Sequence, residues 1–363
     1  MKEKAKRASA YERVFVVLDF LKRKTNEENK ITISELKDKD VIKNVVKDET
    51  ALNNLLREYM KLAYFSESSE RVTCDNIERL AYAEDDENNI RLGKIYYEHA
   101  FSYDEIDYII EGLKFSKSID TATADAIIEK VKSNLTDDYY QDDKLGVYNV
   151  KEVSLTDKKA LRNNFITIQK AIDESACISF FFNGYDSNRT LQRSSEEKYI
   201  VTPYYIVAYN SRYYMIASAK KHKTMSIWRV DLMTEVELTD TEQSKENYLF
   251  SKEVKDLPRQ WDDSFVYSHL NMSVDKPVGI KLKISRSENL KHADYTFMYD
   301  WFGDSFSVVR KGEDYDEVHV TCSPFAIVNW ALQYSERVEV LEPISVRDVL
   351  ADKVKKLNEK YLR

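Results

Sequence analysis

The order of periodicities along these 363 residues predicts an α+β chain of several domains. Apolar residues recur at helical spacing as far as Ile172, alternate as in strands from Cys177 to about residue 240, and mix both patterns after residue 276. The length and a 43% hydrophobic content allow two or three buried cores.

Tyr11, Val14, Phe15, Leu18 and Leu21 share one helical face. This first helix ends at Lys22-Arg23-Lys24, where cations suit a helix C-terminus. Thr32, with Glu35 three residues on, opens a short capped helix. Leu52, Leu55, Leu56, Tyr59 and Met60 mark a further helix, whose opposite face offers Asn53, Arg57 and Lys61, with Asn54 beside them. Three short helices with a basic, amide-rich face on the last fit a helix-turn-helix reader of double-stranded DNA. Arg pairs with guanine and Asn with adenine, while Lys43, Lys47 and Lys61 would hold phosphates. Plain solvation of that face is the alternative. Arg71-Val72-Thr73-Cys74 and Ile90-Arg91-Leu92 predict a β-wing, with residues 83–89 as an acidic tip. A helical pair follows, marked by Ile106, Ile109, Ile110 and Leu113, then by Ile127, Ile128, Val131 and Leu135. Residues 136–150 are polar and read as a linker.

Leu161, Phe165, Ile168 and Ile172 mark another helix, and strand-rich sequence begins at Cys177. Residues 203–209 and 212–217 are two strands joined by Asn210-Ser211. A third, from Ser226, follows the basic loop Lys220-Lys221-His222-Lys223 and carries Arg229. Arg212, Lys220, His222, Lys223 and Arg229 thus lie close in sequence to Tyr204, Tyr213 and Tyr214. Cations hold phosphates and aromatic faces stack bases, so a single-stranded nucleic acid or a nucleotide is the implied ligand. Alternation puts Tyr213 on one strand face and Arg212 with Tyr214 on the other, so at most half of these residues line one pocket. The structural alternative is that Arg229 pairs with Asp231. Residues 241–275 read as irregular. Strands are predicted at 278–284, 305–309 and 316–320, and helices at 324–334 and 346–361.

The net charge of −8 is uneven: residues 1–30 carry +4 and the remainder −12. A basic terminus on an acidic body suits a modular nucleic-acid binder, and equally a solvated tail. No run of 18 apolar residues exists and the start lacks an apolar stretch, so neither a membrane span nor a signal sequence is predicted. Cys74, Cys177 and Cys322 are widely spaced, which fits reduced thiols in the cytoplasm and leaves zinc without a ligand set. The five histidines are scattered and none of the seven glycines sits in a phosphate-cradling loop. No catalytic residue, metal or cofactor is predicted.

Tyr213-Tyr214-Met215, in place of a Trp-Tyr-Leu triplet, and Trp228-Arg229-Val230-Asp231 resemble the WYL domain. With the stretch 101–106 and Val338-Glu339-Val340-Leu341-Glu342-Pro343, nearly the whole chain resembles bacterial helix-turn-helix/WYL transcriptional regulators. Two positions depart from the family. Leu232 replaces a second arginine after Asp231, and Thr50 is followed by Asn53-Asn54 where Arg-Asp is common. The resemblance implies a winged helix-turn-helix at 1–98, a helical linker at 99–150 and an SH3-like WYL barrel at 151–240. A linker at 241–275 would lead to a ferredoxin-like C-terminal extension at 276–363. It also implies a homodimeric, ligand-responsive DNA-binding regulator whose barrel senses a nucleic-acid fragment or nucleotide. The alternative is an accessory RNA- or single-stranded-DNA-binding protein that modulates a CRISPR or phage-defence effector.

Overall fold

The computed structural model describes residues 9–83, 90–116, 119–141, 158–286 and 294–362. They form two compact units, Met1–Val153 and Ser154–Arg363.

In the first unit, α1 (Ala10–Lys24) buries Val17 and Leu21, whereas Tyr11 and Phe15 stand exposed. The buried stripe is thus rotated from the predicted one, because it follows the packing of Val17 and Leu21 rather than aromatic size. α2 (Ile33–Lys37) starts at Thr32 as expected, and α3 (Asp40–Lys43) is a single turn. α4 (Glu49–Tyr64) is capped by Asp48 and sets Leu52, Leu56 and Met60 fully into the core. β1 (Arg71–Cys74) pairs antiparallel with β2 (Ile95–Glu98), and α5 (Ile77–Ala81) lies between them in sequence. The partner strand is therefore Ile95–Glu98 and not the expected Ile90-Arg91-Leu92. Ile95 and Tyr97 alternate into the core, and Ile95 also bridges Ile31. Of the expected acidic tip, residues 84–89 lie outside the described residues. α6 (Tyr103–Phe115) and α7 (Thr121–Leu135) pack through Ile106, Ile110 and Ile128. Most of the expected linker, 142–150, is also outside the described residues.

Ser9/Glu12, Thr32/Glu35 and Ser102/Glu105 form reciprocal capping boxes at α1, α2 and α6. Hydrogen bonds from the cap residue hold each glutamate below the ordinary carboxylate range. Their stabilising effect is present above the unfolded value and is lost as pH falls through the lower folded values. Ser102→Ala is expected to cost about 1 kcal/mol in urea unfolding at pH 7, and less in acid.

In the second unit, α8 (Lys158–Asp173) precedes β3 (Ile178–Tyr185), β4 (Leu191–Arg193), β5 (Tyr199–Tyr209), β6 (Arg212–Ser218), β7 (Met225–Arg229) and β8 (Met233–Leu238). These six strands run in the order β4-β3-β5-β6-β7, with β8 on β3, and curl into a half-barrel. Leu161, Ile168 and Ala171 of α8 pack against Phe180, Val201, Met215 and Val230 on one face. The opposite face, Val207, Ile216 and Met225, is covered by Leu249, Val254, Leu257, Phe265 and Met272. The stretch expected to be an irregular linker is therefore a packed cover that contains α9 (Thr241–Asn247) and α10 (Ser264–Ser268). Its apolar residues are too widely spaced to show either period.

The chain continues through β9 (Val278–Ser285), α11 (Thr296–Phe302), β10 (Phe306–Lys311), β11 (Tyr315–Cys322), α12 (Pro324–Gln333), β12 (Val338–Glu342) and α13 (Ile344–Tyr361). The sheet order is β10-β11-β9-β12, antiparallel throughout. Its inner face packs on Phe297, Met298, Phe302, Ile327 and Trp330.

The cover meets this module at Ser268, whose carbonyl accepts from the Ser323 amide at 2.8 Å, and at Leu270; between them His269 is 5% exposed and stacked on Phe265 at 4.0 Å. Its Nε2 is buried with no partner among the described residues, and burial holds its pKa below the ordinary 6.5. The unfolded chain therefore takes up a proton that the folded chain resists, so stability falls as pH drops below about 6.5. His269→Phe is expected to flatten this slope in urea melts between pH 7.5 and 5, since phenylalanine does not titrate, although it also loses the Nδ1 contacts to Phe265 and Ser268.

Candidate nucleic-acid interfaces

β6 and β7 form a hairpin in which Tyr214 pairs with Arg229 and Ser218 with Met225. A 3-10 turn, Val230–Leu232, follows β7 and folds Asp231 back towards the strand end. Arg229 donates from Nε at 3.1 Å and Nη2 at 2.6 Å to the two oxygens of Asp231. Arg212 Nη1 reaches the same carboxylate at 3.3 Å. The Asp231 side chain is 11% exposed, whereas those of Arg229 and Arg212 are 31% and 44% exposed. The hydrogen bond from Arg229 to Asp231 raises the Arg229 pKa further. Burial raises the Tyr214 phenol, opposed by the nearby Arg229 and Arg212 charges. Each guanidinium carries five N–H groups, so both retain donors beyond those spent on Asp231.

The remaining barrel residues lie elsewhere. Tyr213 packs edge-on against Phe165 at 4.6 Å, on the α8 side. Tyr204 donates to the Leu249 carbonyl at 2.7 Å, on the side of the cover. Four residue steps separate Met225 from Arg229, about 13 Å along a strand, and the loop Lys220 to Lys223 lies beyond Met225. Lys220 reaches the Glu246 carbonyl, while His222 and Lys223 are exposed. Closeness in sequence placed these cations together; the hairpin sends them to opposite ends. One cluster therefore contains Arg212, Tyr214, Arg229 and Asp231, and the basic loop is a separate patch.

On the first unit, Lys43, Lys47, Thr50 and Asn54 are exposed, and Asn53 is half-buried. Lys43 lies 3.6 Å from Asp38. Lys61 is half-buried and engaged in an interaction of its own. Arg57 differs from expectation: it is 8% exposed and donates to the Ile90 carbonyl. The chain around Ile90 covers this part of α4, so the guanidinium turns to backbone instead of solvent. Glu58 beside it is exposed.

Among the described residues, no group of three His, Cys, Asp or Glu could hold a metal ion, and no helix is long and apolar enough to cross a membrane. The three cysteines are free and buried, and burial pushes the Cys322 thiol up to about 12.

No curated protein matches the chain. Among solved structures, Proteasome accessory factor B/C (PafBC) of Arthrobacter aurescens is 15% identical, with 99% of this chain and 50% of that chain covered and a TM-score of 0.26. The chain thus spans about half the length of that protein. A CRISPR Cas-related protein is 14% identical, with 92% and 93% covered and a TM-score of 0.35. Likenesses this distant carry no argument. The family described as the WYL domain matches residues 163–238, from within α8 to the end of β8. That span contains Arg212, Tyr214, Arg229 and Asp231, so the arginine cluster lies within the residues, 163–238, that match the WYL domain.

Proposed function

We propose that this chain is a ligand-responsive, DNA-binding transcriptional regulator whose WYL domain senses a single-stranded nucleic-acid fragment or a nucleotide. The observation that carries the reading is the pair of guanidiniums held on one carboxylate at the open end of the β6–β7 hairpin. Asp231 acts as a brace: it fixes both forks and leaves their unspent N–H groups for a phosphate. Tyr214 offers a ring beside them.

In this reading α2, α3 and α4 form the helix-turn-helix and β1 with β2 the wing. Thr50 and Asn54 face base edges, and Lys43 and Lys47 hold phosphates. The β-α-β-β-α-β order after residue 276 supports assigning a ferredoxin-like extension. The protein works as a homodimer in the cytoplasm, by binding rather than catalysis and without a cofactor. Ligand binding shifts the balance between poses of the N-terminal domains.

The inward turn of Arg57 favours a second reading, an accessory RNA- or single-stranded-DNA-binding protein serving a CRISPR or phage-defence effector. Capture of sheared genomic DNA separates the two. A regulator enriches discrete duplex sites. Lys43→Ala/Lys47→Ala then weakens binding and lowers the salt slope by about one unit for each phosphate no longer neutralised. If labelled single strands bind while no duplex site is enriched, the second reading replaces the first.

A further inference from the structure

A cleft of about 380 Å³ opens in the first unit, where the α1–α2 loop, the end of β2, the start of α6 and Asp137 meet. This size lies in the range of small-molecule sites. Aromatic rings form much of its wall, with Phe101 and Tyr103 39% and 37% exposed. Glu27, Glu28 and Glu98 add carboxylates to the lining.

Asn26, Tyr103 and Tyr97 in the wall have their donors spent. Asn26 Nδ2 donates to Asp137 and to the Tyr103 hydroxyl, and that hydroxyl donates to Asp137 at 2.6 Å. Tyr97 donates its hydroxyl to Glu70. His99, whose side chain is 10% exposed, sets Nε2 3.4 Å from the Thr25 carbonyl and 3.5 Å from Asp137. Both neighbours are acceptors, so in the neutral ring the proton sits on Nε2 and Nδ1 is an acceptor. That Nδ1 is buried and has no partner among the described residues. Since Glu98 already pairs with Arg71 at 2.6 Å, carboxylate capacity lies on Glu27 and Glu28 in the cleft. Beside it, Lys30 already places its ammonium 4.4 Å from the centre of the Tyr96 ring, the same pairing of cation and aromatic face.

We propose that this cleft binds a small organic cation, an ammonium or amidinium carried on a flat or slender body. The cation's N–H groups meet Glu27 and Glu28, and its body lies against the aromatic wall, which the His99 ring joins. The site is distinct from the barrel cluster, and its ligand has the opposite charge. Its occupant would touch α6 and the loop after α1 at once, bracing the helical pair on the N-terminal helices.

Calorimetry on the full chain with three isosteres tests this: benzamidine, neutral benzamide and anionic benzoate. Benzamidine is expected to bind saturably at one site, with benzamide about tenfold weaker and benzoate weaker still. Glu27→Gln/Glu28→Gln removes two charges without changing side-chain shape and should weaken benzamidine about tenfold, and Phe101→Ala should weaken it also. Equal binding of the three probes, no binding at millimolar concentration, or unchanged binding in both variants would overturn the assignment.

Discussion

Arg229→Ala is expected to remove most binding of a short single strand or nucleotide by the WYL domain. Truncating a partner in a hydrogen-bonded charge pair costs about 2–5 kcal/mol, which is at least thirtyfold in affinity. The salt dependence should also flatten, by about 0.7 for each single-strand phosphate that the variant no longer engages. Asp231→Asn is the sharper variant. If Asp231 competed with the ligand for its two arginines, losing the carboxylate would tighten binding. As a brace it does the reverse: the forks loosen, and affinity falls although the site has become more positive. Calorimetry with a short oligonucleotide reads both. An Arg229→Ala protein that binds as well as the parent would leave Arg229 as the structural partner of Asp231 alone.

Asp137→Ala is expected to be the most damaging single change in the first unit, at about 3 kcal/mol. Its side chain is fully buried and accepts from the Tyr103 hydroxyl at 2.6 Å, Asn26 Nδ2 at 2.8 Å and the Tyr139 amide at 2.9 Å. Alanine strands these donors together, and stranded buried donors cost about 1–3 kcal/mol each when no water replaces the partner. Asp137→Asn keeps the shape but turns an amide donor towards other donors, so it should also destabilise. Urea unfolding gives the size of the loss. Hydrogen exchange should show it first in α6 and in the turn after α1. A loss below about 0.5 kcal/mol would mean that this carboxylate does not organise the joint.

What could be read from the sequence was local. The Thr32/Glu35 box and the Leu52, Leu56, Met60 stripe depend on residues three or four apart, and both are formed. The Arg229–Asp231 pair was legible as an alternative for the same reason, being two residues apart. Arg212 joining that carboxylate was not, because 19 positions of chain intervene and only strand pairing brings them together. Arg57 fails in the same way, since its acceptor at Ile90 is 33 positions away. α11 escaped notice because its seven residues are too few to establish a period. The basic loop shows the converse error. A strand carries neighbours in sequence steadily apart in space, so Lys223 and Arg229 are close along the chain and far apart in the barrel.

The cover formed by residues 241–272 sets how this protein can be divided. A fragment ending at residue 240 would hold every residue of the recognised domain, yet open Val207, Ile216 and Met225 to water. Aggregation is the foreseeable fate of such a piece. The heritable module is correspondingly longer than the one a family match outlines. Leu249, Val254, Leu257, Phe265 and Met272 have to travel with the strands whenever the domain is transplanted into another architecture. Drift at Ile216 or Met225 should be answered by compensating change in that tail, on which Tyr214 of the arginine cluster also rests.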